Sequence, residues 1–310
     1  MKNQQPLVSV IMNCHNGEKY LREAVDSVIA QTYNNWELIL WDNHSTDKTS
    51  DIIKSYTDSR IYYHYADTFT TLGKARNAAI NVSNGEIIAF LDADDIWLKE
   101  KLTKQIPLFR DKDIGIVICN SYLFNEKNQK RQFYKKNKPK VGKVFRELLG
   151  SYNISMPTAV VRRAALDSLD HNFDENFNMI EEYDLFIRLS YNWSLGYVDE
   201  ILAKWRAHSL SWTWSHSYLF PKERKLLLVK YRNYFSNFED LYAEEIILIK
   251  QAIALQEAQD KWKNGKNKEA RKILEEYKHS GFKWFVAYYL TWLPYLFFTS
   301  LSRLKGNLIP

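Results

Sequence analysis

Short apolar runs alternate with amphipathic stretches through the first half of the chain. The apolar runs have the length of buried strands, and in the stretches between them the apolar residues recur with helical spacing. The predicted strands are 7–12, 36–41, 61–65, 85–91 and 114–119, and the predicted helices are 20–29, 45–56, 73–82 and 98–109. Strands alternating with helices of this length form a mostly parallel sheet with right-handed crossovers.

The pattern changes in the second half. A hairpin and a loop are predicted over 120–140, followed by a short helix at 144–149, a strand at 156–161, a helix at 181–189 and a strand at 195–206. From Pro221 onward, helical periodicity runs over 223–277 with a break at 264–266. We therefore predict an α/β domain over 1–215 and a helical region over 216–310.

Two further details concern the first half. Ser45 or Thr46 is expected to cap the second helix, with Asp47 in its first turn. Neither G-x-G-x-x-G nor G-x-x-x-x-G-K-[ST] occurs in the chain. A dinucleotide dehydrogenase and a P-loop enzyme are disfavoured, because both depend on such glycine-rich phosphate loops.

Three carboxylates, Asp92, Asp94 and Asp95, directly follow the strand 85–91. Open α/β sheets bind ligands at the carboxyl ends of their strands. Carboxylates crowded at such a point repel one another unless a cation or a hydrogen-bond donor lies near. Mg²⁺ and Mn²⁺ prefer hard oxygen ligands, and Mg²⁺ uses one or two carboxylates together with substrate phosphates. The cluster indicates a divalent ion holding a phosphorylated ligand, while an acidic cap for the next helix is the structural alternative.

Composition adds little to the fold but changes the expected surroundings. The 310 residues are 45% hydrophobic and 26% charged, which is ordinary for a globular protein, but 15% are aromatic and the net charge is +6. The basic stretch 135–140 suits an anionic partner, although a solvated loop is the commoner interpretation, and we expect no nucleic acid. Cys14 and Cys119 lie inside apolar runs, which is typical of buried thiols in a reducing compartment.

The segment 280–305 is aromatic and has basic flanks. Residues 284–301 contain no charged side chain, while Lys278, Lys283, Arg303 and Lys305 lie at either side. This pattern favours a peripheral contact with the membrane interface, and it leaves open a helix packed on the protein or a true span. The apolar run near the N-terminus is too short for a signal peptide, so we expect a cytoplasmic protein on the inner face of the membrane.

A series of short motifs resembles the pattern of glycosyltransferase family 2. The motifs stand in the family's order at 8–11, 16–21, 27–33, 36–39, Asp42 with 45–47, 73–77, 85–95, 181–185 and 206–208. Each motif alone is weak, but so many in series are specific. The resemblance covers roughly the first two hundred residues, and the rest of the chain carries none of these motifs.

The resemblance implies a GT-A fold, which is Rossmann-like, followed here by a C-terminal helical region. It implies transfer of a sugar from a nucleotide diphosphate, usually UDP-linked, with inversion, assisted by Mn²⁺ or Mg²⁺ at a DXD motif. It assigns Asn13, His15, Asn16, Asp42, Arg76, Asp92 and Ala93 to the donor, Asp94, Asp95 and His208 to the metal, and Glu182 to catalysis as the base.

Some of these assignments leave alternatives open. Asp42 would bind the ring N–H of the base, or it is a turn residue, and Arg76 would lie near the base or the diphosphate, or it is a surface arginine. Asp92 would contact the ribose, while the sequence does not separate the ribose and metal roles of Asp95. His208 would approach the metal or the diphosphate, or it is a loop histidine.

The chain departs from the family pattern at two points. The family has a Glu-Asp pair at the base position, whereas this chain has Glu181-Glu182, and an arm longer by one methylene moves the hydroxyl that the base serves. Glu182 would then be a retuned base and Asp184 a structural partner for Arg188 one turn later, and the alternative for this pair is a surface acidic helix start. The first loop has His15 where the family commonly has a tyrosine that stacks on the base.

The sequence thus supports three hypotheses of different kinds. The first is a metal-dependent inverting glycosyltransferase of polysaccharide biosynthesis, acting on a glycan or lipid-linked glycan acceptor. The second is a non-catalytic module that binds a sugar nucleotide or glycan, suggested by the Glu-for-Asp change. The third, a nucleotidyltransferase, is disfavoured because no basic glycine-rich loop precedes the first helix.

Overall fold

The structure is a computed structural model, and it describes residues 5–127, 129–208 and 211–295. The strands are β1 Val8–Cys14, β2 Trp36–Asp42, β3 Ile61–Tyr65, β4 Ile87–Phe90, β5 Ile96–Trp97, β6 Ile114–Asn125, β7 Lys130–Gln132, β8 Val160–Arg162 and β9 Ser194–Ala207. The helices are α1 Leu21–Ile29, α2 Thr49–Lys54, α3 Leu72–Asn81, α4 Lys101–Gln105, α5 Phe145–Gly150, α6 Arg163–Asp167, α7 Glu181–Asn192, α8 Trp212–Ser215, α9 Phe220–Tyr234, α10 Phe238–Leu241, α11 Ala243–Lys263, α12 Asn267–Glu275 and α13 Phe282–Leu290. Short 3₁₀ helices occupy Ile106–Arg110, Met156–Thr158 and Ser217–Leu219.

The chain divides into two compact units. Unit 1 comprises Met1–Leu148 with Asn153–Ala207, and unit 2 comprises Leu149–Tyr152 with His208–Pro310. The predicted domain extents, 1–215 and 216–310, stay predictions, because compactness does not test whether a segment folds on its own.

Unit 1 is built on one sheet with the order β3-β2-β1-β4-β8-β6-β9-β5, and β7 pairs with β6. The first four strands in this order run parallel wherever they pair with one another, and β6 pairs with β9 in parallel over most of its length. The strands β8, β5 and β7 run antiparallel to their neighbours. The mostly parallel α/β sheet and the hairpin of β6 and β7 are confirmed.

The core of unit 1 explains why the strands and helices could be predicted from the sequence pattern. Leu21, Ala24, Val25 and Val28 are buried on one side of α1, at the spacing expected for an amphipathic helix packed on a sheet. The strand β1 is buried at all seven positions, as in a parallel strand covered on both faces. Both cysteines are buried free thiols.

Three local predictions need correction. The expected strand at 156–161 begins only at Val160, because Pro157 lacks an N–H for sheet pairing and instead lies in the first turn of a 3₁₀ helix. The helix predicted from Ser45 begins at Thr49, whose N–H donates to Asp47 Oδ1 at 2.9 Å. The helical run after Pro221 has a second interruption, between α9 and α11.

Unit 2 is helical. A small core of Ala258, Trp262, Ala270, Leu274 and Trp284 joins α11, α12 and α13. The predicted break at 264–266 is confirmed, since Gly265 separates α11 from α12 with a φ of 72°. None of the described helices has both the length and the apolar character needed to cross a membrane. Residues 296–305 of the predicted membrane segment lie outside the described residues.

Candidate active site

Asp42 ends β2 and is fully buried, at the edge where β1, β2 and β3 terminate together. Its Oδ1 accepts the Ser45 N–H at 2.8 Å, and its Oδ2 accepts the Tyr63 hydroxyl at 2.8 Å. These bonds fix the carboxylate, yet each oxygen keeps a further lone pair for a ligand donor. The contact of Asp42 with a nucleotide base stays a prediction.

The loop after β1 is fastened to the loop after β2. Asn16 has a left-handed backbone with a φ of 53°, which asparagine tolerates better than most residues. Its N–H donates to Ser45 Oγ at 2.8 Å, and its Oδ1 accepts the Thr46 N–H at 2.8 Å. A Cβ on Gly17 would lie 2.3 Å from Cys14 Sγ, so this turn requires glycine. Asn16 thus holds the two loops together, and its contact with the nucleotide-sugar donor stays a prediction.

His15 and Phe69 form an exposed aromatic pair above this edge. Their ring centroids are 4.6 Å apart in an edge-on arrangement, and His15 Nδ1 lies 2.9 Å from the Asn43 carbonyl oxygen. Phe69 is 54% exposed, which leaves apolar ring surface for a planar ligand. Nearby on β1, Asn13 is buried, and its Nδ2 has no hydrogen-bond partner within the described part of the chain. Such a donor gains from a ligand acceptor.

The acidic residues after β4 form a tight turn that Arg206 holds from β9. The Asp95 N–H donates to the Asp92 carbonyl oxygen at 3.0 Å. Arg206 donates its backbone N–H to Asp95 Oδ1 and its Nε–H to the Asp94 carbonyl oxygen, each at 2.8 Å. Asp92, Ala93 and Asp94 are partly exposed, whereas Asp95 is buried.

Asp95 carries the strongest sign that this turn favours a further positive charge. Its Oδ2 is buried without a hydrogen-bond partner among the described residues. Burial raises the pKa of Asp95 well above its ordinary value, the charges of Asp94 and Asp92 raise it further, and Arg206 lowers it only in part. A cation beside the turn would relieve both effects.

Arg76 on α3 joins the acidic turn to the start of α7. The guanidinium is 2% exposed, and its Nη2 donates to Asp92 Oδ1 at 2.8 Å while its Nη1 donates to Glu181 Oε1 at 2.8 Å. Glu182 Oε2 lies 3.8 Å from the same Nη1. Burial lowers the pKa of Arg76, but the three carboxylates outweigh this and leave the pKa above its ordinary value. Arg76 is therefore no surface arginine.

Glu182, the predicted base, keeps part of its side chain open to solvent. The side chain is 27% exposed, compared with 4% for Glu181. Burial raises the pKa of Glu182 to about 8, with Arg76 lowering it and Glu181 and Asp92 raising it. The two glutamates therefore differ: Glu181 accepts a hydrogen bond from Arg76, and Glu182 has a pKa near neutral pH. Its catalytic role stays a prediction.

A second acidic group on α7 has a structural explanation. Arg188 Nε–H donates to Asp184 Oδ2 at 2.9 Å, and both side chains are fully buried, so the predicted pairing is confirmed. His171, Asp174 and Asp184 bring ligand atoms within 4.8 Å of one another, the single group of three such side chains in the described ranges. The Arg188 guanidinium already supplies a positive charge there.

Asp92, Asp94 and Asp95 do not form a group of three by that measure within the described residues. This is compatible with magnesium chemistry, which needs only one or two carboxylates. His208 is buried, belongs to unit 2, and accepts the Ser211 N–H on its carbonyl oxygen at 3.1 Å. The metal roles of Asp94, Asp95 and His208 stay predictions.

Sequence reasoning therefore found Asp92, Arg76 and Glu182, which the structure brings together. It gave no separate role to Glu181, which takes the direct bond from Arg76, and it overlooked Phe69. The adjacent acidic pair was a usable signal for Glu181, because neighbouring carboxylates repel each other unless a cation lies near. Phe69 carries no sequence signal, since an isolated loop aromatic is common.

The fold matches solved glycosyltransferases of GT-A type. The crystal structure of S. aureus TarS in complex with UDP-GlcNAc aligns with a TM-score of 0.59 at 22% identity, covering 80% of this chain and 66% of that one. The mannosyltransferase PcManGT from Pyrobaculum calidifontis, in complex with GDP-Man and Mn²⁺, aligns with a TM-score of 0.62 at 15% identity, covering 99% and 82%. At these identities the likeness shows the fold, and the predicted GT-A class is confirmed.

Sequence comparison narrows this class to one family. The model described as "Glycosyl transferase family 2" matches residues 9–170. An uncharacterized glycosyltransferase of Methanocaldococcus jannaschii is 31% identical over 208 residues, or 65% of this chain and 71% of that protein. The Escherichia coli UDP-Glc:alpha-D-GlcNAc-diphosphoundecaprenol beta-1,3-glucosyltransferase WfgD is 32% identical over 184 residues, or 59% and 69%. The chain belongs to glycosyltransferase family 2, as its motifs predicted.

Proposed function

We propose that this glycosyltransferase moves a sugar from a UDP-sugar to a hydroxyl of a glycan or lipid-linked glycan, with inversion at the anomeric carbon. One observation carries the proposal: the Arg76 guanidinium binds Asp92 of the acidic turn and Glu181 beside the candidate base, each at 2.8 Å. Two acidic segments about ninety residues apart in sequence therefore meet at one cation, as donor binding and proton removal in one reaction require.

Glu182 is the group proposed to take the proton. The acceptor hydroxyl gives its proton to the Glu182 carboxylate as its oxygen bonds to the anomeric carbon. At the same time the bond from that carbon to the diphosphate oxygen breaks, and the nucleotide diphosphate leaves. A single displacement of this kind inverts the configuration. A base with a pKa of about 8 holds a proton strongly enough to assist while a useful fraction stays ionised near neutral pH.

The acidic turn fits a divalent cation, because Asp95 has a buried oxygen without a partner among the described residues and two acidic neighbours. Asp94 and Asp95 would hold Mn²⁺ or Mg²⁺, and a metal role for His208 stays a prediction. When bound, such an ion supplies positive charge to the leaving diphosphate. Asp92 would hold the ribose, and Arg76 would orient Asp92 rather than contact the donor itself.

The donor proposal is supported by the edge of β1 to β3. Asp42, Asn13 and the exposed pair of His15 and Phe69 supply an acceptor, a donor and an apolar ring surface, which are the contacts that a nucleobase needs. The printed name of WfgD specifies UDP-Glc, and TarS was crystallised with UDP-GlcNAc. PcManGT was crystallised with GDP-Man, so relatives of this fold bind different bases.

The acceptor proposal draws on WfgD, whose name specifies a sugar on diphosphoundecaprenol, a lipid carrier. An acceptor of that class lies in a membrane. We therefore place the proposed reaction at the inner face of the cell membrane.

Release of nucleotide diphosphate from UDP-, GDP- and dTDP-sugars with Mn²⁺, with and without glycan acceptors, tests the proposal. Asp94→Ala and Glu182→Gln should each lower turnover at least about a hundredfold, while Glu147→Gln, a partly exposed carboxylate paired with Lys140, should retain it. Donor binding without turnover by the unaltered chain would favour the alternative, a non-catalytic module that binds sugar nucleotides or glycans, which the Glu-for-Asp change motivates.

A further inference from the structure

The helix α13 is apolar on both of its sides. Its inner side places Trp284 in the core of unit 2, and Thr291 in the following turn is also buried. Its outer side and that turn carry large apolar side chains that are strongly exposed, namely Phe282 at 82%, Phe285 at 49%, Tyr289 at 52%, Trp292 at 64% and Leu293 at 42%. The spacing of Phe282, Phe285 and Tyr289 keeps them on one side of the helix, and Trp292 and Leu293 follow in the turn after it. We call these five side chains the outer face.

Four cations surround this segment and lie over its rings. Lys283 lies over Trp284 with its Nζ 6.0 Å from the ring centroid, and Lys278, which also pairs with Glu275 at 3.1 Å, lies over Tyr288 at 5.4 Å. From α12, the guanidinium of Arg271 lies 4.3 Å from the Trp292 ring. From the last turn of α11, Lys263 Nζ lies 5.9 Å from the Tyr295 ring.

A contiguous apolar surface of this kind is uncommon on a protein that meets only water. Aromatic side chains with lysine and arginine beside them are the pattern found at the interface of a bilayer, where rings lie among headgroups and cations reach lipid phosphates. The nine residues of α13 span only about 14 Å, less than half of a hydrocarbon core. A helix of this length is too short to cross a bilayer.

We infer that the outer face binds the surface of an anionic lipid bilayer. The charges favour this occupant over a second copy of the chain, because a two-fold contact would bring identical cations together. They also disfavour the chain's own residues 296–310, whose charged side chains are Arg303 and Lys305. The inference rests on the proposed function, since it gives a partner to an enzyme whose acceptor is lipid-linked.

Sedimentation of the full chain with vesicles tests the inference. The chain should bind vesicles of phosphatidylglycerol and phosphatidylcholine, and it should bind vesicles of phosphatidylcholine alone at least tenfold less. Phe285→Asp with Tyr289→Asp should lower the partition coefficient at least tenfold. The matched control, Leu226→Asp with Ile247→Asp, alters similarly exposed apolar positions on α9 and α11 and should bind as the unaltered chain does.

Charge is tested separately. Lys263→Gln and Lys283→Gln should each weaken binding to the anionic vesicles about fivefold, and 0.5 M salt should weaken it further. Hydrogen exchange of residues 282–293 should slow when anionic vesicles are added, while exchange of β1 should not change.

Absence of vesicle binding by the unaltered chain would overturn the inference, as would equal losses in the test and control variants. Dissociation of a dimer by Phe285→Asp with Tyr289→Asp, without a change in vesicle binding, would assign the face to a second copy instead. If vesicles left the hydrogen exchange of residues 282–293 unchanged, the outer face would be assigned to a contact with the chain's own residues 296–310 instead. Nucleotide release from the donor is measured in the same samples. If the unaltered chain released no nucleotide, that result would contradict the proposed function, but it would not change the conclusion from vesicle binding.

Discussion

Two buried arginines, Arg188 and Arg76, contact the acidic side chains of α7 in opposite ways. Arg188 pairs with Asp184 at 2.9 Å, and its remaining donors reach the carbonyl oxygens of His171, at 2.7 Å, and Asn172. Arg76 faces three carboxylates within 4 Å, those of Asp92, Glu181 and Glu182. Asp170 Oδ1 also lies 3.9 Å from Arg188 Nη1, but that side chain is 61% exposed, so Arg188 bonds to one fully buried carboxylate whereas Arg76 faces three.

This difference indicates that the Arg188 pair supports the fold, whereas the Arg76 cluster can take part in chemistry. The pair of Arg188 is closed to water, with both side chains at 0% exposure, so its charges serve only the fold. The cluster around Arg76 opens to solvent through Asp92, at 34% exposure, and Glu182, at 27%. Excess negative charge that water can reach is suited to bind a cation and to accept a proton, and a neutral buried pair can do neither.

Replacing Glu182 should have the largest effect on the open cluster. Glu182→Gln keeps the shape of the side chain but removes its basicity, so kcat should fall by about 10² to 10⁴-fold with little change in stability. Rates of nucleotide release and urea unfolding of the same samples measure the two quantities. A loss of activity of less than tenfold, beside the Glu147→Gln control, would remove Glu182 as the base.

Breaking the closed pair should affect stability instead. Arg188→Leu leaves Asp184 buried without its partner, which should lower the free energy of unfolding by about 3 to 5 kcal/mol. Arg60→Leu, in a partly exposed pair with Asp58, should cost under about 1 kcal/mol. Urea unfolding measures both variants. Equal costs would mean that the buried pair is not the structural support inferred here.

Lys101 extends the comparison to a buried cation that has no carboxylate partner among the described residues. Its Nζ donates to Gln105 Oε1 at 2.6 Å and lies 4.3 Å from the Trp97 ring, and burial lowers its pKa from 10.5 to about 8. Unfolding restores proton affinity, so the free energy of unfolding should rise with pH between about 8 and 10.5.

Lys101→Met should therefore stabilise the protein at pH 7, by about 1 to 3 kcal/mol, and should flatten this pH dependence. The exposed neighbour provides the control, because Lys99→Met should change neither quantity. Thermal unfolding from pH 7 to 10.5 measures both effects. A Lys101→Met variant that is less stable at pH 7 would show that the lysine contributes a favourable contact.

The smallest expected effect is in the pH dependence of kcat/KM. Glu182 acts in its ionised form, so below its pKa of about 8 the value of kcat/KM should fall up to about tenfold for each unit of pH lost. Above that pKa it should level off. Steady-state rates between pH 6 and 9 measure it, and a profile that is flat from pH 6 to 8 would contradict the raised pKa.

Much of the fold could be predicted because each buried element of unit 1 is a continuous stretch of the chain. The buried strands β1, β2 and β6 and the amphipathic helix α1 each carry their own periodicity, which short-range packing imposes on the chain. The antiparallel strand β8 could not be predicted in orientation, since two valines and an arginine carry no signal of strand direction. The interruption at Asn237, with a φ of 52°, likewise has no strong local signal.

The sequence by itself determined the family motifs, the acidic turn after β4, the acidic start of α7, and the aromatic segment with its basic flanks, because each of these is a local pattern. Only the tertiary structure decided that Arg76 joins the first two, that Glu181 rather than Glu182 binds it, and that five side chains of the α13 segment are exposed together. The physical reason is the same in each case: proton affinity and exposure depend on neighbours that are distant in the chain, and only packing brings those neighbours together.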